Sequence, residues 1–136
     1  NNFKSILEIG GGLGRTAYYC HKFGIKDLTI VDLLIPQVCQ LNYLSRVLNE
    51  ETILNENQIK ETDGLEDKIK IISPNYLFNN EKKYDLVFNS DSFTEIDTLS
   101  QVKYVNFIGE KTKYFYSINH ECNKNKVSDL FSKKKN

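Results

Sequence analysis

The glycines that follow the first apolar segment of this 136-residue chain have a spacing that suits ligand binding. Gly10, Gly12 and Gly14 form the pattern G-x-G-x-G, and Glu8 lies two positions before it. Glycine permits positive φ and close backbone approach, and the N-terminus of a following helix offers free N–H groups. A dinucleotide-binding loop has the different spacing G-x-G-x-x-G. A carboxylate at Glu8 would repel a pyrophosphate and attract an ammonium or sulfonium, so the pattern favours a cationic ligand. An ordinary tight strand-to-helix turn is the alternative.

Asp32 follows the second apolar segment, Leu28-Thr29-Ile30-Val31. In a parallel sheet this carboxylate would lie beside the glycine turn, where it can accept hydrogen bonds from both hydroxyls of a ribose. A helix N-cap or a turn aspartate is the alternative. We expect Glu8 and Asp32 to face one cavity and to hold opposite ends of a positively charged nucleoside.

Short apolar segments predict five β-strands, at 5–9, 28–31, 69–72, 84–88 and 114–118. Apolar residues at helical spacing follow the first, second and fourth strands, from about Arg15, Pro36 and Ile96. The polar segment 50–67 fits a loose helix or a loop. Strands that alternate with helices predict a doubly wound, mostly parallel α/β sheet with helices on both faces. Its ligand crevice is expected at the carboxyl ends of the strands.

Composition excludes several functional classes. Eighteen basic and eighteen acidic side chains give a formal net charge of zero, which argues against binding to nucleic acid or to an acidic membrane surface. The cysteines at 20, 39 and 122 are too few and too widely spaced for a disulfide framework or a zinc site, and no carboxylate and histidine cluster requires a metal. No segment approaches the ~18 apolar residues of a membrane span, and no signal peptide precedes the first strand. We therefore expect a soluble cytoplasmic domain.

Three motifs resemble those of class I S-adenosylmethionine-dependent methyltransferases. They are Glu8-Ile9-Gly10-Gly11-Gly12-Leu13-Gly14, Ile30-Val31-Asp32-Leu33 and Tyr84-Asp85-Leu86-Val87-Phe88-Asn89. Further stretches are similar to a family of bacterial sugar O-methyltransferases: Gly12-Leu13-Gly14-Arg15, the run from Asp32-Leu33 through Pro36 to Gln40-x-x-Tyr43-Leu44, Asn89-Ser90-Asp91-Ser92-Phe93-x-Glu95 and Tyr116-Ser117-Ile118-Asn119. The resemblance reaches Glu121. It implies a Rossmann-like core, S-adenosylmethionine as cofactor, and methyl transfer to a hydroxyl of a sugar or polyol-like acceptor.

The resemblance also implies a role for each part of the site. The glycine turn would hold the methionine part of the cofactor, with Glu8 near its amino group, and Asp32 with Leu33 would hold the ribose. Residues after the third predicted strand would flank the adenine, although no acidic residue marks that contact here; these are Ser73, Asn75 and Tyr76. Asn89 and Ser90 would face the methyl donor. The expected cofactor-binding residues of the turn are Gly10, Gly11, Gly12 and Gly14.

A hydroxyl acceptor must lose a proton, so we expect a general base near the methyl group. His120 follows the fifth predicted strand and has a suitable unperturbed pKa near 6.5. Asp91 and Glu95 are the carboxylate candidates. Each has a structural alternative: Ser92-x-x-Glu95 fits a capping box at a helix start, and His120 fits an exposed turn.

Two other functions stay open at this point: an NAD-binding Rossmann oxidoreductase, which the glycine spacing disfavours, and a non-catalytic cofactor-binding or scaffold domain. We expect a methyltransferase core at 1–121 and a polar, lysine-rich tail, or the start of a further segment, at 122–136. The chain contains no methionine, so position 1 is not a natural start and a fragment of a longer protein is expected. Class I methyltransferases commonly add two more strands, and none is predicted after Glu121, so the resemblance implies truncation at the C-terminal end. An exposed edge strand would favour association, so a homo-oligomer is a further expectation.

Overall fold

The computed structural model describes residues 3–61, 65, 67–120 and 126–132. Within these ranges the strands are β1 (Ser5–Ile9), β2 (Asp27–Val31), β3 (Ile53–Asn55), β4 (Ile69–Ile72), β5 (Tyr84–Ser90) and β6 (Thr112–Ile118). The helices are α1 (Arg15–Lys22), α2 (Leu34–Val47), α3 (Glu56–Glu61), α4 (Pro74–Phe78), α5 (Thr98–Lys111) and α6 (Val127–Ser132).

All pairings among the described strands are parallel, in the order β3-β4-β2-β1-β5-β6. Ile9, the last residue of β1, pairs with Val31 of β2 on one side and with Asn89 of β5 on the other. The carboxyl ends of these central strands therefore lie side by side. Because β1 leads to β2 on one side and β5 lies on its other side, the strand order reverses at this point, where ligands bind in open α/β sheets.

Apolar side chains from both faces of the sheet form two separate cores. One core contains Ala17 of α1 and Leu44 of α2 against alternate residues of the central strands. The other contains Tyr104, Val105 and Ile108 of α5. The prediction of a doubly wound sheet with helices on both faces is confirmed.

The polar segment that the sequence left undecided holds a short edge strand, β3, followed by α3. In β3, Ile53 and Leu54 are buried, which explains how three residues add a strand to the sheet. A short helix, α4, starts at Pro74, where the sequence predicted only the end of a strand.

The C-terminal segment contains the helix α6, which the sequence did not predict. Val127, Leu130 and Phe131 pack against the second core, and the Phe115 and Phe131 rings lie 5.1 Å apart. The predicted boundary at 121–122 lies outside the described residues, so the division into core and tail stays a prediction. In the described ranges, every helix is too short or too polar to cross a membrane.

Candidate functional site

The glycine turn at the end of β1 depends on backbone conformations that favour glycine. Gly10 has φ 72°, and its N–H donates to Val31 O at 3.0 Å, which ties the turn to the end of β2. Gly14, the N-cap of α1, has φ 84°, and a Cβ there would lie 3.0 Å from Leu44 Cδ1 of α2. The turn therefore passes close to both neighbouring elements.

Asp32 lies directly after β2 with its carboxylate held by N–H groups. Oδ1 accepts from Leu33 N at 2.8 Å, and Oδ2 accepts from Gln40 Nε2 at 2.8 Å. Burial raises the pKa of this carboxyl above its ordinary value, while N–H donation from Leu33, Gln40 and Gly11 acts in the opposite direction. A carboxylate has about four acceptor sites, so three N–H groups do not exhaust it and a ligand hydroxyl can still bind.

A cavity of about 390 Å³ opens at the carboxyl ends of β1, β2, β4 and β5. Its lining includes the acidic residues Asp32, Glu95 and Asp97, and no Lys or Arg among the described residues lines it. The remaining lining residues are Ile9, Gly10, Val31, Leu33, Pro36, Pro74, Ser92, Ile96, Ser100 and Tyr104. Three acids without a basic partner favour a cationic ligand over an anionic one.

The expectation that Glu8 and Asp32 face one cavity is wrong. Glu8 lines a separate cavity of about 140 Å³, together with Ile6 of its own strand and Ala17 and Cys20 of α1. Glu8 shares a face of the sheet with Ile6 and Ile30, and its Oε2 lies 3.2 Å from the position of a Cβ on Gly11. Its carboxyl is therefore buried against the glycine turn, outside the cavity that Ile9 and Asp32 line. Any contact between Glu8 and a ligand amino group stays a prediction.

Burial raises the pKa of the Glu8 carboxyl. The residue is 7% exposed, and its Oε2 has no hydrogen-bond partner. Desolvation raises the pKa of this carboxyl to about 7, opposed by a hydrogen bond from Thr16 and assisted by the charge of Asp32. Glu8 is therefore only partly ionised near neutral pH.

Asn89 and Ser92 join the end of β1 to the end of β5. Asn89 is fully buried; its Nδ2 donates to Ile9 O at 2.9 Å, and its Oδ1 accepts from Asn119 Nδ2 at 2.7 Å. Ser92 Oγ donates to Ile9 O at 2.9 Å and accepts from Asn89. Asn89, expected to face the methyl donor, thus has its amide engaged within the protein. The neighbouring Ser90 belongs to β5 and is not part of the cavity lining.

The capping-box interpretation of Ser92 and Glu95 is also wrong. Ser92 makes no side-chain cap, and the residues Phe93–Glu95 form a short 3₁₀ turn. The helix α5 begins later, where Asp97 accepts from Ser100 N at 3.1 Å and acts as the N-cap. This offset leaves the Glu95 side chain on the cavity lining.

The three candidates for adenine contact lie outside that lining, which instead includes Pro74 between them. Ser73 caps α4 through Oγ, which accepts from Tyr76 N at 3.1 Å. Asn75 is exposed and accepts from Asn79 Nδ2. Tyr76 packs partly against the core. Their role in cofactor binding therefore stays a prediction.

Of the three general-base candidates, Glu95 alone lines the cavity among the described residues. His120 and Asp91 lie together at the ends of β6 and β5, with His120 Nε2 3.7 Å from Asp91 Oδ1. Their side chains are 80% and 55% exposed. Asp91 has φ 55°, and its N–H donates to Ile118 O, which holds this corner against β6.

Gln40 is a site residue that sequence reasoning did not assign to the site. It lies in α2 with no exposed surface, and its Nε2 donates both to Asp32 Oδ2 and to Gly12 O. The available signal was its place in the stretch from Asp32 to Leu44 that carries the sequence resemblance. The described ranges contain no group of three or more His, Cys, Asp or Glu placed to hold a metal ion.

Comparisons with known proteins support the fold. No protein-family model matches the chain, and no curated protein matches it. Solved structures do. The structure of PigF with SAH has a TM-score of 0.59 at 16% identity over 85% of this chain, and the glycopeptide N-methyltransferase MtfA complexed with sinefungin has 0.58 at 16% over 80%. The mitomycin 7-O-methyltransferase MmcR has 0.58 at 15% over 96%.

These neighbours are longer proteins, of which the chain covers 31%, 42% and 35%. The chain is similar to them in the parallel sheet and its helices, which is the Rossmann-like fold of S-adenosylmethionine-dependent methyltransferases.

Proposed function

We propose that this chain is the cofactor-binding core of an S-adenosylmethionine-dependent methyltransferase. The observation that carries the proposal is the acid-lined cavity at the strand-order reversal, with Gly10 and Asp32 on its lining. Solved neighbours of the same fold contain SAH, sinefungin or S-adenosylmethionine, which supports the choice of cofactor.

The residues present fit this cofactor. Asp32 is placed to accept a ribose hydroxyl, the turn at Gly10 permits close backbone approach, and Leu33 and Pro74 offer apolar surfaces for a purine. Carboxyl groups at Glu95 and Asp97 complement a positive ligand. The pyrophosphate of NAD would meet three acids and no base in the same lining, which disfavours the oxidoreductase alternative.

When bound, the cofactor supplies a methyl group already activated on a sulfonium. The chain then has two tasks: to align an acceptor with that methyl group and to accept the acceptor's proton. We assign the second task to Glu95, and the support for this assignment is that Glu95 belongs to the cavity lining. The His120 and Asp91 pair lies at the exposed rim and is the alternative base.

We further propose a hydroxyl of a sugar or polyol-like molecule as the acceptor. Its support is the sequence resemblance, together with a carboxylate in the cavity that suits proton removal from a hydroxyl. The printed names of the neighbours include both an N-methyltransferase and an O-methyltransferase, so the fold is compatible with either acceptor atom.

Two measurements test this function. Calorimetric titration with S-adenosylhomocysteine and, separately, with NADH should give heat of binding with the first ligand only. A transfer screen with a labelled methyl group, over nucleotide sugars, glycans and small phenols, should then label a hydroxyl. Binding without transfer to any acceptor would support a non-catalytic cofactor-binding domain, and binding of NADH alone would reject the proposal.

A further inference from the structure

The side chain of Gln40 joins the two parts of the site that approach the cofactor from different elements. Its Nε2 donates to Asp32 Oδ2 at 2.8 Å and to Gly12 O at 3.1 Å, so one amide group holds the strand-end carboxylate and the glycine turn together. Both hydrogens of the amide are therefore used. This fixes the orientation of the side chain, because only the NH₂ group can donate to these two oxygens.

Burial makes this arrangement rigid and costly. Gln40 has no exposed surface, and its Oε1 has no hydrogen-bond partner. An unpaired buried amide oxygen is unfavourable, and a leucine or methionine would fill the same space without it. Packing alone does not explain a glutamine at this position. Its two hydrogen bonds, to Asp32 Oδ2 and to Gly12 O, do explain it.

We propose that Gln40 is a positioning residue, which acts through Asp32 by orienting its carboxylate and by fixing the glycine turn at the matching distance. The inference rests on the proposed function, since it assigns Asp32 to ribose binding. Gln40 has no exposed surface, so its proposed action is through Asp32 and the turn and not by direct contact with a ligand.

Gln37 provides a matched control on the same helix. Its Nε2 donates to the backbone oxygen of Asp32 at 2.7 Å and not to the carboxylate. Gln40→Met and Gln37→Met each remove a glutamine side chain that donates a hydrogen bond to Asp32. Only Gln40→Met removes a donor to the carboxylate, which is the group that titrates.

The test is the pH dependence of S-adenosylhomocysteine binding, measured by calorimetry from about pH 4 to about pH 8. In the wild type, affinity falls on the acid side as Asp32 is protonated. N–H donation by Gln40 lowers the pKa of Asp32, whereas burial raises it. Loss of this donor in Gln40→Met should therefore raise that pKa, so that the fall in affinity on the acid side of the binding curve, its acid limb, occurs at higher pH. Affinity at pH 8 should also fall about tenfold or more, as for one lost hydrogen bond to a charged group. Gln37→Met should leave the limb in place.

Other titratable groups also lie near Asp32, and they are the same in the wild type and in every variant. Glu8 from β1 and Tyr104 from α5 interact with its charge, and Glu95 and Asp97 line the same cavity. Gln40→Leu is the second variant: it also removes the donor to Asp32 without burying a charge, and it should move the limb in the same direction. It also supplies the readout if Gln40→Met does not fold.

The outcomes separate the inference from the function on which it rests. An acid limb that moves in neither Gln40 variant, with wild-type binding intact, would show that Gln40 only packs and would overturn the inference. Failure of the wild type to bind S-adenosylhomocysteine would overturn the proposed function and this inference with it. In a combined Asp32→Asn and Gln40→Met variant, Gln40→Met should weaken binding by a smaller factor than it does in the wild type, because the part of its effect that passes through Asp32 is already lost.

Discussion

The side chain of Ser92 occupies the space that a Cβ atom at Gly10 would need. A Cβ built on Gly10 would lie 2.1 Å from Ser92 Oγ and 2.5 Å from Ser92 Cβ. Ser92 is held in place because its Oγ donates to Ile9 O and accepts from Asn89. The turn after β1 and the turn after β5 are therefore in direct contact, and the cavity lies beside this contact.

Gly10→Ala should destabilise the protein and abolish binding of S-adenosylhomocysteine. Ser92 must move and the residue must keep φ near 72°, so we expect a loss of about 2–4 kcal/mol in the free energy of unfolding. Gly24→Ala is the control: φ is 85° there, but no atom lies within 4 Å of the added Cβ. It should cost about 1 kcal/mol and leave binding unchanged. Urea unfolding measures the loss in the free energy of unfolding for both variants. Equal losses would contradict the close contact between Gly10 and Ser92.

Asn89→Asp tests the hydrogen bonds that join β1, β5 and β6. The substitution keeps the shape of the side chain but removes the N–H donor to Ile9 O and buries a carboxyl. We expect a loss of about 3 kcal/mol at pH 8, and a smaller loss at low pH, where the new carboxyl is neutral. Asn106→Asp, at an exposed position of α5, should change stability by less than about 0.5 kcal/mol. A tolerated Asn89→Asp variant would show that this buried amide is dispensable.

Glu8→Gln should stabilise the protein at alkaline pH. The carboxyl has a pKa of about 7 in the folded chain and an ordinary value when unfolded, so the folded state binds its proton more tightly. Wild-type stability conferred by this group is present at acid pH and is lost as pH rises through about 7. Relative to the wild type, Glu8→Gln should gain about 3 kcal/mol between pH 4 and pH 8.

The control for Glu8 is Glu110→Gln at an exposed position of α5, which should stay within about 0.5 kcal/mol of the wild type at both pH values. Because Glu8 lines a separate cavity, Glu8→Gln should keep its affinity for S-adenosylhomocysteine within about threefold. A much larger loss of affinity would instead indicate the contact with the cofactor amino group that the sequence predicted.

Glu95→Gln and His120→Gln distinguish the candidate bases. Glu95 lines the cavity, so its replacement should slow methyl transfer to an active acceptor by about 100-fold or more, the usual contribution of a general base. His120→Gln should slow transfer by less than about fivefold, because this side chain is largely exposed at the rim. Single-turnover rates with a labelled methyl group measure both. The opposite order would assign the role to the His120 and Asp91 pair.

The sheet was largely predictable because each central strand is a short, mainly apolar segment with clear ends. The predicted strands 5–9 and 69–72 have the observed bounds of β1 and β4. The strand β3 was missed because only Ile53 and Leu54 mark it, within a polar segment, and it forms by pairing with β4. The helix α6 was missed because its few apolar residues are separated by polar ones and become visible only in their contacts with the core.

The site was predictable where it depends on strand ends and failed where it depends on packing. The position of Asp32 beside the glycine turn follows from the parallel register of β1 and β2. Strand alternation places Glu8 on the face opposite Ile9 but does not separate it from Asp32, so the burial of Glu8 against α1, outside the cavity, depends on packing. The role of Gln40 could not be predicted, since a helix residue eight positions after Asp32 reaches its carboxylate only through the packing of α2. The engagement of Asn89 by Asn119 likewise depends on the pairing of β5 with β6.

Asp32→Asn, titrated with S-adenosylhomocysteine beside the wild type, tests the central claim that the acid-lined cavity holds the nucleoside of the cofactor. The wild type should bind, and Asp32→Asn should bind at least about 30-fold more weakly, because a charge-assisted hydrogen bond to the ribose is lost. Asp129→Asn, at an exposed position of α6, should bind like the wild type. Equal affinity in all three proteins, or no binding by a folded wild type, would contradict the account.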